Sequence, residues 1–252
     1  MQIGAHVPSE HPLAEAAARD ADLVQFFLSQ PNSWKKPQPR EDAEELRSAP
    51  IPLYVHAPYV MNLASPNNRI RIPSRKTLAQ TVAAAAEIGA AGVIVHGGHV
   101  GDDEDIEVGF ERWRKAMGSF EAEVPVLIEN TAGGGNAVVR DLANYGPLWS
   151  ALDGFDVGVC LDTCHAWAGG QDLETAADLL ADLTGGIALV HGNDSRDPFD
   201  SRRDRHANLG AGEIPEELLV GVIRAAGAPV VCETPGGPQA QAADIAWLRA
   251  RL

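Results

Sequence analysis

A closed barrel of eight parallel strands, each followed by a helix, is the fold this sequence predicts. Three observations lead there. The chain has 252 residues, and such a barrel typically takes about 250. Eight short segments rich in Val, Ile and Leu alternate with Ala-rich segments of helical period, as a parallel sheet with helical crossovers requires. Six of the eight apolar segments end on a metal-type ligand: Tyr54-Val55-His56, Ile94-Val95-His96, Leu127-Ile128-Glu129, Cys160-Leu161-Asp162, Leu189-Val190-His191 and Val231-Cys232-Glu233. Parallel strands lying side by side would bring those six ends to one rim.

The strands are expected near 2–6, 22–28, 52–57, 92–97, 124–130, 157–163, 187–193 and 229–234. Helices are expected near 10–20, 40–48, 74–89, 104–119, 137–151, 172–183, 215–226 and 239–251. Pro39, Pro73 and Pro215 are placed at helix starts, where a missing N–H costs nothing. Gly89 and Gly227 follow helix ends, the usual place for a left-handed residue. The segments after strands 2, 3 and 7 (29–39, 57–73 and 194–214) are the long or irregular ones. Long loops on the C-terminal rim are where substrate contacts concentrate. The rival architecture is an open doubly wound sheet.

No composition shift marks a second domain, so 1–252 is expected to be one barrel domain. The first eight residues lack the basic and apolar regions of a signal peptide. No apolar run reaches the ~18 residues of a membrane span. Cys160, Cys164 and Cys232 are an odd number in apolar contexts, which favours a reducing cytoplasm. Nothing demands a dimer, and a monomer is expected. The net charge of −15 argues against a nucleic-acid partner at first sight. Three divalent ions would add about +6 at one face. Basic residues also cluster after strand ends: Lys35 and Lys36; Arg69, Arg71, Arg75 and Lys76; Arg196, Arg202, Arg203 and Arg205.

Two further segments extend the ligand set. His165 lies three residues beyond Asp162 and is expected in the loop. Asp204 and His206, at i and i+2 of an extended stretch, would project alike. Glu129 has two carboxylate oxygens and can bridge. One ion would then take His56, His96 and Glu129; a second Glu129, Asp162, His191 and Glu233; a third His165, Asp204 and His206. Buried carboxylates at this density need cations. Zinc leads for a His-rich set, with manganese or iron as alternatives at one site. Each residue alone has a plainer role, as a hydrogen-bonded strand end or a helix cap. His6 and His99 are candidates for orienting a ligand or touching a phosphate. The cysteines lack C-x2-C spacing and are expected in the core or behind ligands. Gly133-Gly134-Gly135 lacks the full pattern of a phosphate loop.

These segments together resemble the endonuclease IV family of apurinic/apyrimidinic endonucleases. The matching stretches run from Ile3-Gly4-Ala5-His6-Val7 through Tyr54-Val55-His56-Ala57-Pro58-Tyr59, Asn62-Leu63-Ala64 and Ile128-Glu129-Asn130-Thr131-Ala132-Gly133. They continue with Leu161-Asp162-Thr163-Cys164-His165, His191-Gly192-Asn193-Asp194-Ser195, Asp204-Arg205-His206-Ala207-Asn208-Leu209-Gly210 and Cys232-Glu233-Thr234-Pro235. The resemblance implies a TIM (β/α)8 barrel with three zinc ions on the nine residues grouped above. Glu129, Asp162 and His165 are expected to carry the catalysis. The family hydrolyses the phosphodiester 5′ to an abasic site in duplex DNA, leaving a 3′-hydroxyl and a 5′-deoxyribose phosphate, and trims blocked 3′ ends. It flips the abasic nucleotide and fills the gap with loop side chains. Tyr59 and Val60 occupy those places here, and Asn32 and Trp34 stand in the second DNA-contacting loop. Two departures are visible. Asn32 replaces an arginine of some relatives. His96-Gly97-Gly98-His99 is one residue tighter than the usual turn, so His96 is expected to stay a ligand and His99 to be displaced.

Two rival functions remain. A sugar isomerase or epimerase on a related barrel could use Glu129, Asp162, His191 and Glu233, but has no need of His165, Asp204 and His206. A lesion-binding protein with a decayed site would lack ligands, and none is missing.

Overall fold

The computed structural model describes all residues, 1–252, and its eight barrel strands fall inside the expected segments. They are β1 (Ile3–His6), β2 (Val24–Phe27), β3 (Leu53–His56), β4 (Gly92–His96), β5 (Val126–Glu129), β6 (Val157–Asp162), β7 (Leu189–His191) and β10 (Val230–Cys232). All pair in parallel, and β1 closes on β10. The open-sheet alternative is thereby excluded. A two-residue hairpin, β8 (Asp194–Ser195) with β9 (His206–Ala207), lies inside the long segment after β7.

The helices are α1 (Pro12–Ala18), α2 (Ala43–Arg47), α3 (Asn68–Glu87), α4 (Glu107–Met117), α5 (Tyr145–Ala151), α6 (Thr163–Ala168), α7 (Ala176–Thr184), α8 (Glu216–Ala226) and α9 (Gly237–Arg249). None is long and apolar enough to cross a membrane. Gly89 and Gly227 are left-handed as expected, and Pro215 is the N-cap of α8.

Four local expectations are corrected. Pro73 lies inside α3, because Asn67 starts that helix earlier by accepting a hydrogen bond from the Arg69 N–H at 2.9 Å. A polar N-cap outweighs a proline further on; the loop after β3 therefore ends at 67. Pro39 lies in an irregular stretch ahead of α2. Residues 137–141 are not helical: Ala137 bridges to His99, and Asp141 caps a 3-10 turn at Leu142–Asn144 that leads into α5. His165 is on α6 rather than in a loop. Asp162 Oδ1 accepts from the His165 N–H at 2.6 Å, so the strand-end carboxylate is also a helix cap.

The core has two parts. A large apolar shell fills the space between strands and helices, with Trp113, Tyr145 and Phe26 fully buried. Inside the barrel is a separate plug of Leu23, Tyr54, Ile94, Leu127, Cys160, Leu189 and Val231. Side chains two apart on a strand face the same way. Adding two to each plug residue gives Gln25, His56, His96, Glu129, Asp162, His191 and Glu233. The apolar plug is thus the floor on which the polar layer stands.

Gly4 has no room for a side chain: a Cβ there would lie 1.8 Å from the carbonyl oxygen of Leu23. Gly4→Ala should therefore force β1 and β2 apart and lower unfolding stability by about 3 kcal/mol or more. Urea denaturation measures it; a loss under about 1 kcal/mol would contradict this packing.

Candidate metal centre on the barrel rim

Glu129 is the hub. It is fully buried, and each of its oxygens faces two imidazoles. Oε2 lies 3.2 Å from Nε2 of both His56 and His96. Oε1 lies 3.1 Å from Nδ1 of both His165 and His191. Around it the ligand-type atoms form three compact groups: His56, His96 and Glu129; Glu129, Asp162, His191 and Glu233; and Asp162, His165 and His206. The first two are the sets expected from sequence. In the third, Asp162 completes the tightest group. Asp204 is adjacent, its Oδ1 3.1 Å from His165 Nε2 and 3.3 Å from His206 Nε2. All nine expected residues therefore meet on one rim.

The imidazoles are held by their other ring nitrogen. His56 Nδ1 donates to Ala57 O at 2.7 Å, His165 Nδ1 to Asn130 O at 3.0 Å, and His206 Nδ1 to Glu233 O at 3.3 Å. Each of these bonds leaves Nε2 as the free lone pair. Such fixed tautomers are typical of metal-binding histidines. The Nε2 atoms of His165 and His206 are buried and make no hydrogen bond, although Asp204 is close to both. Two buried lone pairs beside an acceptor-only carboxylate form a donor set that fits a divalent cation.

The electrostatics agree. Burial works against charge on Glu129, yet His191 and His96 hold its carboxyl well below the usual range. Burial would lower His165 and His191, but Asp162 and Asp204 around the first, and Glu233 and Glu129 around the second, raise both well above an ordinary imidazole. His56 is depressed by burial despite Glu129. The cluster thus attracts positive charge strongly, supplied by protons or by metal ions.

Residues that carry no ligand signal in the sequence brace this layer. Asn130 accepts from the Asp162 N–H at 2.8 Å and donates to Asp162 O at 3.0 Å. Asn193 donates to Asp162 Oδ2 at 2.7 Å and accepts from the Glu233 N–H at 2.8 Å. Gln25 reaches His6, His191 and Glu233. Both asparagines directly follow or nearly follow a ligand in sequence, the only mark that singles them out. The cysteines are free and buried, and burial pushes Cys160 and Cys164 up to about 12. They are neutral packing groups.

Two hollows open beside the cluster. One, of about 290 Å3, is lined by Tyr59, His96, His165, Asp204, His206, Glu233 and Pro235. The other, about 390 Å3, runs past Val60, His99, Gly133, Gly134 and Arg202. Tyr59 is half exposed, its ring stacked on His96 with centroids 5.6 Å apart. Val60 lines the same wall. His99 is exposed in the larger hollow and belongs to none of the three ligand groups. Asn32 and Trp34 are exposed on the loop after β2 and line neither hollow. A wider groove, about 770 Å3, carries Lys35, Lys36, Arg40 and His6. Arg202 pairs with Asp200, while Arg203 and Arg205 both pair with Asp197.

The site and barrel place the protein in a broad class, and comparison narrows it. The profile of the xylose isomerase-like TIM barrel family matches residues 13–251. A protein named probable endonuclease 4 from Mycobacterium bovis is 58% identical over 251 residues, covering 100% of this chain and 99% of the relative. Its namesake from Mycobacterium leprae is 54% identical over 249 residues, covering 99% and 98%. The crystal structure of endonuclease IV from Thermus thermophilus superposes with a TM-score of 0.85 at 30% identity, covering 99% of this chain and 98% of that one. A D-tagatose 3-epimerase-like protein superposes with a TM-score of 0.83 at 16% identity, which reflects the shared fold alone. The chain belongs to the endonuclease IV family.

In the metal-free protein, the neighbouring carboxylates outweigh burial and raise His206 to about 9, from 6.5 for a free imidazole. The stability this histidine contributes is complete below pH 6.5 and is lost as pH climbs through 9. Stability in chelator should therefore fall between about pH 6.5 and 9.5, by on the order of 3 kcal/mol from His206 alone. Urea melts across that range measure it; a flat or rising profile would contradict the charge balance described here.

Proposed function

We propose that this chain is a DNA repair nuclease that hydrolyses the phosphodiester 5′ to an abasic site in duplex DNA, leaving a 3′-hydroxyl and a 5′-deoxyribose phosphate. It would also trim blocked 3′ ends. The observation that carries the proposal is the seat of Glu129, one oxygen toward each of two histidine pairs. The nine rim residues would hold three divalent ions, zinc at most or all positions and manganese or iron as alternatives at one. Bound ions of this kind ionise a water near neutral pH and offset charge on phosphate oxygens.

The chain's own part is arrangement. Glu129 is central to two of the groups, so it sets their spacing. Asp162 is fixed by Asn193 and by its cap bond to α6, and so orders His165 at the same time. Asp204, 54% exposed at the mouth, is the candidate residue nearest to an arriving strand. The buried floor keeps bulk water out from below. No thiol serves as nucleophile, because burial keeps Cys160 and Cys164 protonated at neutral pH. Tyr59 offers an exposed ring above the cluster, where it can stack in the gap left by a flipped abasic nucleotide. Val60 would support it. Asn32 and Trp34 would touch DNA from the loop after β2, further from the reaction. The protein would work as a monomeric, single-domain enzyme of the cytoplasm.

A duplex carrying one abasic site tests the activity: incision on its 5′ side is expected, and an uncut duplex with metals bound would overturn the proposal. Glu129→Gln should slow incision by about 10³-fold or more, some 4 kcal/mol of barrier; a wild-type rate would remove Glu129 from its role. Tyr59→Ala should weaken binding to abasic duplex by about 1–3 kcal/mol while leaving metal content unchanged. Fluorescence anisotropy measures the first and elemental analysis the second; unchanged affinity would refute the stacking role.

A further inference from the structure

Gln25 is the one residue of the polar layer that neither binds metals nor faces solvent. It stands two residues beyond Leu23 of the plug, so it points into the barrel beside the ligands. It is fully buried. Its Nε2 lies 2.6 Å from Glu233 Oε1 and 2.9 Å from His6 Nδ1; its Oε1 lies 2.8 Å from His191 Nε2. The orientation of the amide is not free. The Glu233 carboxylate only accepts, so the NH2 must face it. The carbonyl oxygen must then face His191, and it can only accept. His191 therefore carries its proton on Nε2.

That proton decides what the other ring nitrogen does. When a cation displaces the second proton of His191, Nδ1 offers its lone pair between Glu129 Oε1, 3.1 Å away, and Glu233 Oε2, 3.4 Å away. Three acceptors converging without a proton repel one another unless a cation lies among them. With the opposite tautomer, His191 would donate to Glu129 and close the site on itself. His56, His165 and His206 have backbone carbonyls to set their tautomers. For His191 the Gln25 carbonyl takes that place.

We infer that Gln25 is the positioning residue of the metal group built on Glu129, Asp162, His191 and Glu233. It keeps His191 Nδ1 available as a ligand and steadies Glu233 beside it. This rests on the metal-centre proposal above and adds a residue that no strand-end ligand pattern contains. It also predicts selectivity among the three ions: only the one at this group depends on Gln25.

Zinc-loaded wild type, Gln25→Met and Gln25→Glu test it. Methionine keeps the volume and removes both hydrogen-bonding ends. Glutamate keeps an acceptor for His191. Zinc retention is read against a competing chelator, and the His191 ring protons by ¹⁵N-edited spectroscopy of the loaded proteins. Gln25→Met should release one zinc about 10–100-fold more readily, the size typical for losing a ligand's orienting partner, with the other two unchanged. The slowly exchanging Nε2 proton of His191 should be present in wild type and in Gln25→Glu and absent in Gln25→Met. Equal retention of all three ions by Gln25→Met would overturn the inference. So would a wild-type His191 protonated on Nδ1, even if Gln25→Met fails to fold. A wild type that holds no zinc would instead sink the metal-centre proposal itself, which keeps the two failures distinct.

Discussion

The two-residue repeat of the barrel strands is the constraint on which the site depends. Every strand from β3 to β7, and β10 after it, places an apolar side chain in the plug and, two residues later, a polar one above it. The plug does more than fill space. By occupying the barrel interior it closes the cluster from beneath, so the carboxylates of Glu129 and Asp162 sit in a water-poor layer. Charges there are costly unless compensated. The barrel thus creates a demand for cations that no single loop could.

The form of compensation follows from the hydrogen bonds behind the ligands. Backbone carbonyls and one buried amide accept a hydrogen bond from an N–H of four of the imidazoles, which turns the remaining nitrogens inward as acceptors. Asn130 and Asn193 tie the ends of β5, β6, β7 and β10 to one another through Asp162 and Glu233. These bonds fix the layer independently of what occupies it. The fold itself is shared with sugar epimerases, and the group of Glu129, Asp162, His191 and Glu233 is one such an enzyme could employ. Such an enzyme has no need of the adjoining His165, Asp204 and His206.

Much of this is legible in the sequence because strand ends are marked twice, by a run of Val, Ile or Leu and by the ligand that stops it. That double mark locates six of the eight strands and six of the nine rim residues; His165, Asp204 and His206 are read from the segments beyond the strand ends. Helix starts are less legible. Asn67 and Pro73 both carry a start signal, and only the geometry shows that the asparagine cap wins. His165 reads as a loop residue because sequence does not separate the capping role of Asp162 from its place in the strand. Gln25 escapes the ligand pattern for a related reason: Leu23-Val24-Gln25 runs along a strand as the others do, but an amide is not a metal ligand. The long loops of the rim are least legible. Tyr59 stands over the cluster, whereas Asn32 and Trp34 are set by a loop with no repeat to locate it.

Anomalous scattering at the zinc edge from crystals of the loaded protein tests the central claim most directly. Three peaks are predicted: one among His56, His96 and Glu129, one among Glu129, Asp162, His191 and Glu233, and one beside His165, Asp204 and His206. A single peak, or none touching Glu129, would contradict it.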